Sequence, residues 1–160
     1  MTKPTLQKSK KTKWRQGKYH PLHPEKYLGN STNIVFRSSW EYSLAKWLDT
    51  NPSVKKWGSE EAIVKYISPI DGKEHRYYID FYAEILNKYG IIDKYLIEVK
   101  PFSQTKPPKV KKRRGVITEA YKTELSTYYI NLSKWKAASE VAARNGMKFI
   151  VLTEKELFGR

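Results

Sequence analysis

The chain has 160 residues, 31 Lys and Arg against 16 Asp and Glu, a formal net charge of +15 and no cysteine. That length suits one compact domain with appendages. The missing cysteines exclude disulfides and thiolate metal sites, and no apolar run approaches the roughly 20 residues of a membrane span.

The positive surplus points to a polyanion, nucleic acid before an anionic membrane surface. It is unevenly placed. Residues 1–18 hold Lys3, Lys8, Lys10, Lys11, Lys13, Arg15 and Lys18 with no acid. Residues 103–115 hold Lys106, Lys109, Lys111, Lys112, Arg113 and Arg114, again with no acid. Seven charges on the first segment and six on the second leave +2 for the rest. The body is nearly neutral, and the DNA grip is expected on the two appendages. The basic N-terminus lacks the apolar core of a signal peptide, so a soluble intracellular protein is expected.

In chain order, residues 1–30 read as a basic tail, rich in Lys, Thr, Pro and Gly. His20 and His23 flank prolines that resist regular structure. They read as an ordinary loop, because no further ligand type stands nearby. The domain proper is expected over residues 31–160. A helix opens at Ser38 or Ser39, where Ser38 and Glu41 match a capping box. Trp40, Leu44, Trp47 and Leu48 form its apolar stripe, and Asn51-Pro52 ends it. Glu41 has two readings, as a cap of the first turn or as a metal-site acid pointing toward Asp80.

Ala62–Ile67 reads as a first strand, and Asp71-Gly72 marks a turn. Residues 74–86 and 94–100 follow as second and third strands of an antiparallel meander. Asn87-Lys88-Tyr89-Gly90 supplies the turn between them. Pro101 ends the third strand, and residues 103–115 form a basic loop leaving directly from Lys100. Residues 118–129 are weakly helical. A clear helix runs from Asn131 to Arg144 with Leu132, Trp135, Ala138, Val141 and Ala142 on its buried side, and Asn145-Gly146 stops it. Met147–Leu152 is a last strand, which a helical crossover places parallel to an earlier one. The order predicts an α/β fold, a central mixed β-sheet flanked by helices.

The chemistry concentrates on Asp80, Glu98 and Lys100. A hairpin places Asp80 across from Glu98, and Glu98 and Lys100, two apart on a strand, share a face. Ile79, Phe81, Ile97 and Val99 bracket both acids. Carboxylates among such apolar neighbours need a reason, such as a metal or an ordinary ion pair with Lys100 or Arg76. Mg²⁺ takes hard oxygen ligands and keeps several waters, so one or two carboxylates suffice. Asp80 and Glu98 are the candidate ligands, with the Val99 carbonyl as a third oxygen and Glu41 for a second metal or a bound water. Lys100 would orient the attacking water and offset phosphate charge.

At these residues the chain resembles the PD-(D/E)XK nuclease superfamily. The motif is Asp80, then Glu98-Val99-Lys100, with Glu41 on the preceding helix. Within the superfamily it is similar to the TnsA-like transposon endonucleases, and more closely to the head-completion nucleases of T-even-like tailed phages. The matching segments are Phe36–Glu41, Trp57–Glu61, His75–Phe81, Leu96–Pro101, and Lys134–Ala138 through Leu152-Thr153-Glu154. Ile79 stands where the superfamily motif has proline. The resemblance implies a restriction-endonuclease-like fold and Mg²⁺-dependent cleavage of double-stranded DNA, with Mn²⁺ as a substitute ion. It also implies a role in head completion after packaging, in the cytoplasm of the infected host, with phage head or neck proteins as partners. A non-catalytic basic DNA-binding protein of the phage head or neck is the competing class. An RNA binder of ribosomal type would carry its lysines over the whole body, which this chain does not.

Overall fold

The computed structural model describes residues 16–159. Lys10, Lys11, Lys13 and Arg15 lie outside the described residues. The chain runs β1 (Gly17–Tyr19), β2 (Ile34–Phe36), α1 (Ser39–Thr50), β3 (Val54–Ser59), β4 (Ile63–Ile67), β5 (Glu74–Tyr78), β6 (Phe81–Leu86) and β7 (Ile92–Val99). It continues through β8 (Lys112–Arg113), β9 (Val116–Ile117), α2 (Glu119–Arg144), β10 (Lys148–Leu152) and α3 (Glu154–Phe158). The central sheet has the order β10-β7-β6-β3. β10 pairs parallel with β7 across the α2 crossover, and the other pairs are antiparallel. The expected mixed sheet between helices is present.

Strand alternation divides the core. Tyr95, Ile97 and Val99 of β7, with Phe81, Ala83 and Ile85 of β6, join Leu44, Ala45 and Leu48 of α1. Leu96 joins Val64, Tyr66, Tyr77 and Ile79 against Ala138 and Ala142 of α2. Alternation therefore sends Glu98, like Leu96, to the α2 side.

Residues 17–27, expected in a tail, are tied to the body. β1 pairs with β2, and Tyr19 is buried. The fastening is Asp49, a fully buried acid at the end of α1. It accepts hydrogen bonds from the Tyr19 hydroxyl at 2.8 Å and the Leu22 and His23 amides at 2.7 and 3.0 Å. His23 thus contributes its backbone, as an ordinary loop residue does. Polar composition hid this, because the segment packs through the Tyr19 and Tyr27 rings and a carboxylate rather than an apolar period.

The expected meander needs two corrections. β3, absent from it, is the partner of β6; its Lys55-Lys56 pair and an irregular register between Val54 and Lys56 mask the alternation. The single strand expected over 74–86 is split at Ile79-Asp80. β5 pairs with β4 in a hairpin packed on α2, and β6 pairs with β3. The two ladders are one bent ribbon. Ser59 faces Phe81 and Ile63 faces Tyr78, so residues 60–62 oppose only residues 79 and 80. The extra residue is a bulge, a device that re-aims side chains. Glu60 N–H bonds the Asp80 carbonyl at 3.1 Å, Ile79 N–H bonds the Ala62 carbonyl at 2.9 Å, and Glu60 sits at φ +56°.

α2 is one helix of 26 residues, not a weak stretch followed by a strong one. Thr118 caps it, accepting from the Tyr121 amide at 3.2 Å. Its first half faces the 103–111 segment rather than the apolar core, so it carries no clear apolar stripe. Leu132, expected inside, is 39% exposed, and Asn131 takes the inward position at 6%.

Candidate active site

The β6–β7 hairpin and the bulge bring the motif together. Phe81 pairs with Ile97, so one step further Asp80 stands opposite Glu98. Asp80 Oδ2 accepts from the Val99 amide at 2.8 Å. Lys100 Nζ lies 3.1 Å from Glu98 Oε1. Glu98 is 3% exposed, and its other oxygen accepts from the Tyr77 hydroxyl at 2.5 Å. The Lys100 amide is pinned to the Leu152 carbonyl at 3.0 Å. The expected grouping of Asp80, Glu98 and Lys100 is therefore present in the structure.

Glu41 realises the capping reading. Ser38 Oγ accepts from the Glu41 amide at 3.1 Å, and Glu41 Oε2 accepts from the Arg37 amide at 2.8 Å. Its other oxygen accepts from Ser38 Oγ at 3.1 Å. Its charge still acts on Asp80.

Burial, then the Glu98 carboxylate, push the Asp80 pKa up to about 8, with Glu41 adding to the rise and the Val99 amide and Lys100 opposing it. Acids crowded this way favour a cation between them. Asp80 and Glu98 offer hard oxygens, the donor type of Mg²⁺ or Mn²⁺. Among the described residues no three His, Cys, Asp or Glu side chains form a metal cage.

The family model described as TnsA-like endonuclease N terminal matches residues 51–154. The chain belongs to the TnsA-like endonuclease family. The match spans Asp80, Glu98 and Lys100 and excludes Glu41. A curated relative, the head completion nuclease of Enterobacteria phage T4, is 37% identical over 142 residues, covering 88% of this chain and 92% of the relative. No solved structure matches the chain.

Two residues beside this candidate site escaped the sequence reading. Tyr77 orients Glu98, and burial and the Glu98 charge push its pKa up, so it stays an O–H donor. Lys134, half-buried on α2, lies over the rings of Tyr77 and Tyr66, 5.3 and 5.7 Å from their centroids. Burial lowers its pKa while Glu98 and Asp80 raise it. The signal for Lys134 was available: Asn131, Lys134, Ala138 and Ala142 follow helical spacing, so a lysine stands on the inward stripe.

The residues 103–115 are more ordered than a free loop. A turn at Phe102–Thr105 and the β8–β9 hairpin structure them. Lys111 is paired with Glu124 at 2.5 Å. Lys106, Lys109, Lys112, Arg113 and Arg114 are exposed. Among the described residues no helix is long and apolar enough to cross a membrane.

Proposed function

We propose that this endonuclease hydrolyses DNA phosphodiesters with a divalent cation, Mg²⁺ first and Mn²⁺ as substitute, during phage head completion. The observation that carries the reading is the Asp80–Glu98–Lys100 cluster, two crowded carboxylates with an ammonium 3.1 Å from one of them. When bound there, the ion neutralises phosphate oxygens and activates water. The Val99 amide fixes Asp80, and Tyr77 fixes Glu98. Lys100 orients the attacking water and offsets charge growing on phosphorus oxygens. Glu41 contributes negative charge from the cap of α1. The exposed cations at 106–114 hold the DNA backbone, and Lys10, Lys11, Lys13 and Arg15 extend that grip.

The head-completion role follows the relative's name and the extent of the similarity. It implies action on packaged DNA in the infected cell, beside head or neck proteins, with virion retention as one outcome. A supercoiled plasmid incubated with Mg²⁺, Mn²⁺ or EDTA tests the reaction. Cleavage with either ion, lost in EDTA and in Glu98→Ala, is expected. DNA binding without cleavage under any ion would favour a structural role. Association is tested by sedimenting DNA-filled heads and probing the pellet for the protein.

A further inference from the structure

A cleft of about 630 Å³ lies between α2 and the 103–111 segment. That is the size range, about 300–1,000 Å³, of sites for nucleotide-sized ligands. Its rim carries Lys106 and Lys109, and Asn131 lies in its wall. Glu124 also lines it, but Lys111 neutralises that acid at 2.5 Å. The cleft is therefore positive.

Asn131 is 94% buried by its 6% exposure, and among the described residues its amide has no hydrogen-bond partner. Among the described residues the fully buried side-chain polar atoms without a partner are Trp57 Nε1 and Trp135 Nε1, so the Asn131 amide still reaches solvent at the cleft it lines and is open to a ligand. One turn on, Lys134 lies on the same helix face. Among the described residues its ammonium makes no ion pair with a carboxylate and rests on ring faces. Lys134 also feels the charges of Glu98, Asp80 and Lys100. The 103–111 wall leaves directly from Lys100, and one turn beyond Asn131 in the α2 wall Lys134 rests on Tyr77, whose hydroxyl holds Glu98. A DNA strand with one phosphate at the carboxylates thus meets this pair next.

We propose that Asn131 and Lys134 form a phosphate-binding subsite that holds the phosphodiester adjacent to the one being cut. The assignment rests on the DNA-cleaving reading above. Lys134 supplies the charge, and the Asn131 amide donates a hydrogen bond. Neither is required for the bond-breaking step.

The test is binding of a 30-base-pair duplex in EDTA, by fluorescence anisotropy across a salt series. Each phosphate neutralised contributes about 0.9 to the slope of log affinity against log salt. Lys134→Ala and Lys134→Gln should lower the slope by about 0.9 and weaken binding about tenfold. Lys134→Arg should restore the slope. Asn131→Ala should weaken binding severalfold at the wild-type slope. Lys134→Gln keeps a long stem on the tyrosine rings, so it remains informative where the alanine variant fails to fold. A wild-type slope in Lys134→Gln, with native circular dichroism, overturns the subsite. In Mg²⁺, Lys134→Gln should raise KM and leave kcat within a few-fold; a lost kcat at unchanged KM overturns it by placing Lys134 on the reacting phosphate. Absence of Mg²⁺-dependent cleavage by the wild type would sink the nuclease reading, yet leave the EDTA slope readable.

Discussion

Asp80 Oδ2 lies 2.8 Å from the amide of Val99, the residue between Glu98 and Lys100. One backbone donor thus ties the first acid of the motif to its second half. It offsets only part of the cost of crowding Asp80 beside Glu98, since the Asp80 pKa still stands at about 8.

That cost has a sign. An acid whose folded pKa is raised binds more protons in the folded than in the unfolded state between about pH 4 and pH 8. Stability of the metal-free protein therefore falls as pH rises through that window, at up to about 1.4 kcal/mol per unit from this group. Asp80→Asn should unfold at a higher temperature than the wild type at pH 8 in EDTA and lose that advantage near pH 4. Thermal melts at the two pH values check it. Metal binding needs the ionised acid, so Mn²⁺ affinity by calorimetry should tighten from pH 6 to pH 8.

The Tyr77 hydroxyl holds Glu98 at 2.5 Å. Tyr77→Phe removes a bond to a buried carboxylate and should cost about 2 kcal/mol of stability. A carboxylate that loses its orienting partner should cut activity about 10- to 100-fold. Denaturant unfolding and initial cleavage rates measure the two effects. Unchanged values in both would remove Tyr77 from the site.

Lys112, Arg113 and Arg114 are exposed and stand apart from the core. Replacing all three with Ala should leave the melting temperature within a degree or two and lower the salt slope of DNA binding by up to about 2.7, at about 0.9 per phosphate. A full wild-type slope would make this hairpin a solvated charge run.

Asp49 is the counter-case, a buried acid whose three partners are all structural. Asp49→Ala leaves the Tyr19 hydroxyl and two amides without their acceptor. A loss of about 3 kcal/mol or more is expected. Cleavage per folded molecule should be unchanged, which a rate normalised to the folded fraction would show.

The β6–β7 hairpin, the parallel last strand and the motif were legible because alternation and spacing report burial directly, whereas β3, the fourth strand of the sheet, was not. Ile97, Val99 and the Asn87–Gly90 turn fixed the hairpin, and the hairpin alone places Asp80 opposite Glu98. The bend at Ile79-Asp80 was not legible: an unbroken run of Tyr, Ile and Phe looks the same whether or not it changes partner. Residues 17–27 were hidden because Asp49, far along the chain, is what holds them. Asn131 and Lys134 were passed over as polar residues on a helix, although their spacing put them on its inward side. At a functional site the inward residue is often the one that breaks the apolar pattern.

The central claim is that Asp80, Glu98 and Lys100 act together in DNA hydrolysis. The most direct measurement is plasmid cleavage in Mg²⁺ by wild type and Lys100→Ala, with folds matched by circular dichroism. Loss of a charge-stabilising group of this kind costs about 100- to 1,000-fold or more. The account predicts nicked or linear product from the wild type with Mg²⁺, none with EDTA, and at least that loss in Lys100→Ala with DNA binding retained. Cleavage by Lys100→Ala at the wild-type rate would contradict it.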